Sequence, residues 1–405
     1  MKAELFFSSE YHGSLFASVN SFNQFIQPMA IEKADIKEKL LKAAAYLEHG
    51  FIKAKHSLKE RLHDIDPIMV MPYYGYGNET CVYLKGRVIE KEKIKEKKEG
   101  ASKWQHIKNT YRRYESDEIP GIRLQASYGG KSTEVQTDDE GFFEIELKFD
   151  QPINYDTAGN KMKLQLLQTK TEHDELETEG TIFIPHKEAE FGIISDIDDT
   201  VLVSNVTHLL GKLKLMLLKD ASERTPFPGI AAFLRALCSG YDDRVSNPLF
   251  YVSGSEWNLF DLLVNFFRYH DIPEGPLFLR DKGIRFDKPD AAPSEKEYKY
   301  TQICRILDTI PELKFICIGD SGQHDPEIYQ RVVKQYPGRI LGIYIRDISD
   351  ENRDAEIDRI IDAVKGMGTE MLLLDETLKA AKHAFQMGWI NEHQLANVES
   401  EHQEN

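Results

Sequence analysis

The sequence predicts a mixed α/β protein with three successive regions, and three patterns in the distribution of apolar residues support this prediction. Apolar residues recur at the helical period in residues 36–65 and alternate along short segments in residues 67–187. After that they form strands that are separated by helices. With 405 residues, the chain has room for two or three domains of roughly 100 to 200 residues each.

The first region, residues 1–66, is predicted to be a helical segment. Its apolar residues between Ile36 and Ile65 follow the helical period, and Pro67 ends the pattern. This pattern fits one long amphipathic helix, or two helices that are separated at Gly50.

The second region, residues 67–187, is predicted to be a small antiparallel β-sandwich. Turn signals such as the sequence DDEG at 138–141 separate segments of period-two alternation. The residues predicted to face inward are Val82, Leu84, Ile122, Leu124, Ala126, Phe143, Ile145, Leu147, Phe149, Met162, Leu164, Leu166, Ile182 and Ile184.

A basic run interrupts this second region. Residues 91–113 carry nine basic and three acidic residues, together with Trp104 and Tyr111. Such a run can contact an anionic surface, or it can form a solvated excursion from a hairpin. Because charge runs usually lie in water, the solvated excursion is the favoured interpretation.

The third region, residues 188–397, is predicted to be a parallel sheet with crossover helices, because strand and helix patterns alternate there. The predicted strands are 191–196, 249–253, 277–279, 315–319, 340–345 and 371–374, and the predicted helices include 257–270, 299–310 and 326–335. Residues 398–405 are predicted to be a disordered tail. Ligands of such sheets bind at the carboxyl ends of the strands, so the site is expected there.

Polar residues cluster at these strand ends and in one helix. They are Asp196, Asp198 and Thr200 in the sequence DIDDT, Ser253 and Gly254 after the second strand, Lys299 in a helix, and Asp320 after a later strand. Taken singly, Asp196, Asp198 or Ser253 can be explained as a helix cap, and Lys299 as a solvated side chain. Asp325 before Pro326 is interpreted as an N-cap. Three carboxylates behind one buried strand are harder to explain, because crowded like charges cost stability unless a cation or a reaction uses them.

Phosphoryl transfer through an aspartyl phosphate is the chemistry that uses all of these groups. Residues two apart in an extended segment point to the same side, so Asp196 and Asp198 can face one substrate while Ile197 points into the protein. Asp196 is the predicted nucleophile. Asp198 is the predicted acid that protonates the leaving oxygen and then activates water.

Mg²⁺ is the predicted cofactor, because it prefers oxygen ligands and keeps several of its waters. Its predicted ligands are the side chains of Asp196 and Asp320 and the backbone carbonyl of Asp198. Ser253, the amide of Gly254 and the ammonium of Lys299 are predicted to donate hydrogen bonds to the phosphoryl oxygens.

From residue 191 to about residue 387, the sequence resembles the haloacid dehalogenase superfamily, since a DxDxT-type motif, a serine, a lysine and an acidic motif occur in order. The resemblance implies a doubly wound parallel sheet, with Thr200 and Gly254 at the substrate. It also implies a phosphatase, because phosphatases and phosphomutases of the superfamily carry Asp at the position of Asp198. A mutase needs a substantial cap, for which the chain has little room.

More narrowly, SDIDDT, YVSGSEWNLF, RTPFPGI and IGDSGQHDPEIY resemble the phosphatidate phosphatase family typified by the yeast actin-patch-associated enzyme. The sequence PYYGYGN at 72–78 is similar to bacterial relatives of that family. Glu256 stands where the family carries proline. Lys296 is a second candidate lysine, but the family pattern of Lys followed four residues later by Ile favours Lys299 with Ile303.

The insertion at 201–227 is apolar and also carries several lysines. Residues 206–219 can form a flap that lays apolar side chains against a lipid and cations against its head group. They can also form a helix packed on the catalytic domain or the β-domain, and this is the favoured interpretation.

Composition argues against several classes of protein. The net charge of −16 argues against nucleic acid as the main partner, because phosphate neutralisation needs Lys and Arg. The cysteines, Cys81, Cys238, Cys304 and Cys317, lack metal-ligand spacing and indicate a reducing compartment. We expect no secretory signal and see no run of roughly 20 apolar residues. A cytoplasmic protein is therefore predicted, with peripheral contact at a membrane surface left open.

The predicted function is Mg²⁺-dependent hydrolysis of a phosphomonoester, and the resemblance suggests phosphatidate, which would yield diacylglycerol. The alternatives are a phosphatase for a soluble phosphomonoester or a phosphoprotein, and a non-catalytic scaffold. Asp196, Asp198, Lys299 and Asp320 argue against a scaffold, because an idle site has no reason to retain such costly charge.

Overall fold

The computed structural model of the protein describes residues 67–90, 119–155, 160–169, 171–198, 200–201, 226–243, 246–281, 293–348 and 351–404. The predicted N-terminal helical segment, the basic run at 91–113 and the apolar insertion at 206–219 lie outside these described residues. None of the described helices is both long enough and apolar enough to cross a membrane.

The first eight strands form a mainly antiparallel sheet. They are β1 (Ile68–Pro72), β2 (Gly75–Gly77), β3 (Cys81–Glu90), β4 (Arg123–Tyr128), β5 (Lys131–Gln136), β6 (Phe142–Lys148), β7 (Lys161–Leu166) and β8 (Glu177–Phe183). Hydrogen bonds connect them in the order β1-β3-β2-β8-β7-β4-β5, and β6 pairs with β3. Strand β8 pairs with β2 on one side and with β7 on the other. The strands are therefore connected by hydrogen bonds and are not the two independent sheets of a simple sandwich.

Alternation along these strands places one set of side chains in a common core. All of the residues predicted to face inward are buried in it except Phe149, which is partly buried. The pairing of β2 with β8 is parallel, which the sequence pattern did not predict. Alternation is the same in both strand directions, so it reports the buried face but not the partner or its direction.

The last six strands form a parallel sheet. They are β9 (Gly192–Ser195), β10 (Leu249–Glu256), β11 (Leu277–Arg280), β12 (Phe315–Asp320), β13 (Ile340–Arg346) and β14 (Glu370–Leu374), in the order β11-β10-β9-β12-β13-β14. The helices are α1 (Ile230–Ser239), α2 (Phe260–Tyr269), α3 (Glu295–Thr309), α4 (Asp325–Gln335), α5 (Glu351–Gly366), α6 (Thr377–Gln386) and α7 (Glu392–Glu404).

Neighbouring residues of these strands enter different cores, because successive side chains point to opposite faces of a sheet. Ile193 packs in a core with α1, α2, α6 and α7, whereas Ile194 packs in a core with α3, α4 and α5. Helices therefore cover both faces of the parallel sheet, and the open ends of the strands are left for polar side chains.

Several element boundaries differ from the sequence prediction. A 3-10 turn at Trp257–Leu259 precedes α2, and α3 begins at Glu295, where the Ser294 hydroxyl accepts a hydrogen bond from the Glu297 amide at 3.2 Å. The predicted disordered tail at 398–405 is instead helical through Glu404. It is ordered by packing, because Val398 is 0% exposed and Glu401 pairs with Arg235 of α1.

The sequence PYYGYGN joins the two sheets, which lie in one compact unit spanning Ile65–Asn405. The Tyr73 ring stacks on the Trp257 ring with 4.7 Å between the ring centroids, and the centroids of the Tyr76 and Phe278 rings lie 4.9 Å apart. The Asn78 side-chain amide donates a hydrogen bond to the Thr309 carbonyl at 2.7 Å. These contacts fix the antiparallel sheet against β11 and α3. The predicted domain boundary at 187/188 stays a prediction.

Candidate active site

Predicted site residues at the ends of β9, β10 and β12 lie together in the structure. The strand order reverses at β9, whose neighbours are β10 and β12, and open parallel sheets bind ligands at such a reversal. Asp196 directly follows β9, Ser253 lies in β10, and Asp320 ends β12. Their side chains are at most 2% exposed, so these polar groups lie in the interior of the folded chain.

Lys299 reaches this carboxyl edge from α3. Its Nζ atom lies 2.8 Å from Oδ1 of Asp196 and 2.9 Å from Oδ1 of Asp325. Burial by itself lowers the pKa of this ammonium, but the two carboxylates raise that pKa well above its usual range. Lys299 is therefore charged at neutral pH, and of the two candidate lysines it is the one that contacts Asp196.

Acidic side chains outnumber basic ones around Lys299. Asp196, Asp320 and Asp325 each offer a carboxylate oxygen within 4.8 Å of the others. Burial is the main cause that raises the pKa of Asp196 well above its usual range; Lys299 opposes the rise, and the neighbouring carboxylates add to it. The three buried carboxyl groups each offer an oxygen ligand, and such a set of ligands suits a hard divalent cation such as Mg²⁺.

Asp320 is held in place by its own loop. Its Oδ1 atom accepts hydrogen bonds from the amides of Gly322 at 2.7 Å and Gln323 at 2.9 Å. Behind them, Arg353 of α5 donates to the Ser321 carbonyl at 2.8 Å and pairs with Glu327 at 2.7 Å. The loop therefore presents the Asp320 carboxylate in one orientation.

Asp325 is a candidate site residue that the sequence prediction missed. The N-cap of α4 is His324, and Asp325 is the first residue inside the helix. Its carboxylate binds Lys299 and also accepts the backbone amide of Asp320 at 3.2 Å. The signal available in the sequence was the five-residue spacing from Asp320 across a turn. In the structure, Gly319 leaves room for the Asp325 carboxylate, because a Cβ atom on this glycine would lie 2.5 Å from it.

Asp198 has a more accessible and more polar setting than Asp196. It is partly exposed, whereas Ile197 between them is 0% exposed, as expected from strand alternation. Its Oδ2 atom accepts hydrogen bonds from the hydroxyls of Ser253 at 2.9 Å and Ser255 at 3.1 Å. Ser255 was not predicted; its position two residues after Ser253, on the same side of β10, was the signal.

The remaining predicted residues, Gly254 and Thr200, differ in their surroundings. A Cβ atom on Gly254 would lie 2.3 Å from the Glu295 carboxylate, so the glycine permits the close approach of β10 and α3. Thr200 is 1% exposed and lines a small cavity with Ile318 and Arg346. Its hydroxyl has no hydrogen-bond partner among the residues that the structure describes.

Comparison with known proteins points to one family. Residues 191–347 match the family model described as "Phosphatidate phosphatase APP1, catalytic domain". Phosphatidate phosphatase APP1 of Saccharomyces cerevisiae is 33% identical over 163 residues, which cover 40% of this chain and 27% of the yeast protein. An uncharacterized protein of Schizosaccharomyces pombe is 28% identical over 222 residues, which cover 54% of this chain and 35% of that protein.

Solved structures are less informative. The structure of the Pnkp1/Rnl/Hen1 complex aligns with 13% identity and a TM-score of 0.28, over 46% of this chain and 58% of that chain. This score is too low to indicate a shared fold.

The chain spans about a third or less of the length of the curated relatives that it matches. The matched segment, however, contains every candidate site residue from Asp196 to Asp325. The part of the chain that carries the candidate site is therefore similar to the catalytic domain of phosphatidate phosphatase APP1.

Proposed function

We propose that residues 188–397 form a catalytic domain that hydrolyses a phosphomonoester through an aspartyl phosphate. The observation that carries this proposal is the placement of two acids at one strand end. Asp196 is buried against Lys299, and Asp198 is partly exposed against two serine hydroxyls. The strand order and the helices on both faces support the doubly wound, haloacid-dehalogenase-like fold that the motifs imply.

The proposed reaction has two steps. A carboxylate oxygen of Asp196 attacks phosphorus, the bond from phosphorus to the ester oxygen breaks, and protonated Asp198 gives its proton to the departing alcohol. Ionised Asp198 then takes a proton from water, the resulting hydroxide attacks phosphorus, and the bond to Asp196 breaks. The products are an alcohol and phosphate, with both carboxyl groups restored.

Phosphoryl oxygens are proposed to bind Lys299, Ser253 and the amide of Gly254. The ammonium of Lys299 is already oriented by two carboxylates, so it needs little reorganisation to stabilise the charge that develops on phosphorus. Thr200 is proposed to support the substrate site from its buried position behind the strand end.

The cation site is proposed to consist of Asp196, Asp320 and the backbone carbonyl of Asp198, with Asp325 as a further carboxylate. Mg²⁺ bound there would neutralise the anionic groups of the site and polarise a phosphoryl oxygen. The fit rests on the donor set, since these side chains are buried carboxylates within 4.8 Å of one another.

Phosphatidate is the proposed substrate, because the segment that holds the site is similar to a phosphatidate phosphatase catalytic domain. One described residue suits a lipid: Ile348, 40% exposed, follows β13 beside the Asp320 loop. A Cβ atom on Gly322 would lie 2.8 Å from Cδ1 of Ile348, so the glycine leaves room for this apolar side chain. We further propose a cytoplasmic protein that meets its substrate by peripheral contact with a membrane.

Phosphate release by the purified full chain tests the proposal. Phosphatidate in vesicles, a soluble phosphomonoester such as para-nitrophenyl phosphate, and a phosphopeptide should be compared with and without Mg²⁺. Hydrolysis of phosphatidate that requires Mg²⁺ is the expected result. Hydrolysis of the soluble ester or the phosphopeptide alone would exclude the lipid substrate, and failure on every substrate would exclude the enzyme.

A further inference from the structure

A second cavity lies between the antiparallel sheet and the edge of the parallel sheet. It has a volume of about 180 Å³, and its walls come from β3 and β6 on one side and from β11 and α3 on the other. Its aromatic lining residues are Tyr74, Tyr76, Tyr83, Trp257, Phe278 and Tyr298. None of the residues to which we assign catalysis or metal binding lines it, so it is separate from the candidate active site.

The size of this cavity suits one ring. A cavity of roughly 150 Å³ with apolar walls is large enough to hold benzene. Aromatic walls favour a planar or apolar body, because rings prefer offset or edge-to-face contact with one another. The lining also includes the polar side chains of Lys85, Gln302 and Arg305, so the ligand should carry a polar group as well.

The charged residues that line the cavity are two cations, Lys85 and Arg305, and two carboxylates, so the sign of that polar group depends on which of them lacks a partner. Lys85 is engaged by two carboxylates, Glu144 at 3.1 Å and Asp281 at 2.7 Å. Arg305, by contrast, lies with its guanidinium carbon 4.6 Å from the centroid of the Tyr83 ring. Among the described residues, no carboxylate forms an ion pair with Arg305, and the nearby Glu146 pairs with Lys148 at 2.8 Å.

Arg305 is therefore a planar donor at the rim of an aromatic cavity, without a carboxylate partner of its own in the described structure. Guanidinium groups bind carboxylates and similar acids through two parallel hydrogen bonds, and this geometry is available to an exposed arginine stacked on a tyrosine. Gln302, one turn before Arg305 on α3, adds an amide to the same wall.

We propose that this cavity binds a small organic monoanion, with a ring-sized body between the aromatic walls and its acidic group on Arg305. An aromatic carboxylate is the simplest ligand of this class. The inference goes beyond the proposed phosphatase reaction and does not depend on it. The two sites share α3, since Tyr298 in the cavity wall precedes Lys299.

Titration of the full-length protein with 4-fluorobenzoate, followed by ¹⁹F NMR, tests the proposal. Saturable binding is expected, whereas 4-fluorobenzyl alcohol, which has the ring without the charge, should bind about tenfold more weakly or worse. Acetate, which has the charge without the ring, should also bind more weakly, because it loses the aromatic contacts.

Variants locate the binding. Arg305→Gln should weaken 4-fluorobenzoate binding by about tenfold or more, and Arg359→Gln, an exposed arginine on α5, should leave it unchanged. Gln302→Trp should abolish binding by filling the cavity, and circular dichroism should confirm that each variant is folded.

Three outcomes would overturn the proposal. The first is an absence of saturable binding to the parent protein, and the second is equal affinity in the parent and Arg305→Gln. The third is unchanged affinity for 4-fluorobenzoate in Gln302→Trp, which would place the probe outside the cavity. Loss of phosphatase activity in any assay would leave these binding results unaffected.

Discussion

Charged side chains are exposed along β6 of the antiparallel sheet and buried at the carboxyl edge of the parallel sheet. Along β6 of the antiparallel sheet, residues 143, 145 and 147 are buried, and the charged residues between and after them are exposed. At the carboxyl edge of the parallel sheet, Asp196, Asp320 and Lys299 are buried instead. Burying a charge costs several kcal/mol per ion unless partners compensate, so the buried charges at this edge lower the stability of the fold unless they are compensated.

The difference separates packing from chemistry. In the antiparallel region, the features that depart from simple alternation, such as the sequence PYYGYGN, make contacts with β11, α2 and α3. In the parallel region, the departures are carboxylates gathered around one lysine. Substitutions in the first region should therefore change stability, and those in the second should change turnover.

The largest effect is expected for Asp196→Asn. Turnover of para-nitrophenyl phosphate should fall by about 10⁴-fold or more, because an amide is a poor nucleophile. The matched control is Glu146→Gln on the exposed face of β6, which should keep full turnover. Full activity in a folded Asp196→Asn variant, as judged by circular dichroism, would remove Asp196 from its role.

Asp198→Asn should slow hydrolysis by roughly 10² to 10⁴, the usual share of a general acid or base. Its affinity for Mg²⁺, measured by calorimetry, should change much less than that of Asp320→Asn, because Asp198 is proposed to bind the cation through its backbone. Equal loss of Mg²⁺ binding in the two variants would contradict this division of roles.

Tyr73 tests the packing side of the comparison. It is 1% exposed between Trp257 and Phe260, so Tyr73→Ala should lower the free energy of unfolding by about 3–5 kcal/mol in urea titrations. Its hydroxyl has no hydrogen-bond partner within the described part of the chain, so Tyr73→Phe should be neutral or stabilise by up to about 1 kcal/mol.

Turnover per folded molecule should stay the same in both Tyr73 variants. A large fall in kcat for Tyr73→Phe would show that the antiparallel region takes part in the chemistry, and the separation of the two regions would then be wrong.

The smallest effect is expected for Ile348→Ser, which removes an exposed apolar side chain beside the Asp320 loop. Hydrolysis of vesicle-bound phosphatidate should fall by roughly threefold to tenfold, and hydrolysis of para-nitrophenyl phosphate should not change. Leu176→Ser, at a 51% exposed position before β8, is the control and should alter neither. A parallel fall on both substrates would indicate damage to the loop instead of lost lipid contact.

Much of the parallel sheet follows from local pattern. Each of its strands lies within three residues of the predicted bounds, because continuous apolar runs and helical periodicity are properties of neighbouring residues. The burial of Ile197 and the shared strand end of Asp196 and Asp198 follow from the same period of two. Within the described region, the place where the candidate site residues meet could therefore be predicted before any contact was known.

The residues that were missed depend on contacts between distant parts of the chain. Asp325 looks like a cap locally, and it becomes a site residue because the turn after β12 returns it to Lys299, 26 positions earlier in the sequence. Ser255 looks like an ordinary strand residue until β10 lies beside β9, where its hydroxyl meets Asp198. The tail looks disordered from its sequence, but in the structure Val398 packs against α1 and the tail is helical.

The sequence by itself thus determined the order of elements, the buried face of each strand and the edge at which charge gathers, since each depends on residue type and short-range spacing. Tertiary structure decided which strands pair, including the parallel β2–β8 pair, and which of two lysines reaches Asp196. It also placed an aromatic cavity between the sheets. The physical reason is that these features arise from the pairing of distant surfaces, whose free energy depends on shape and charge complementarity that no local pattern records.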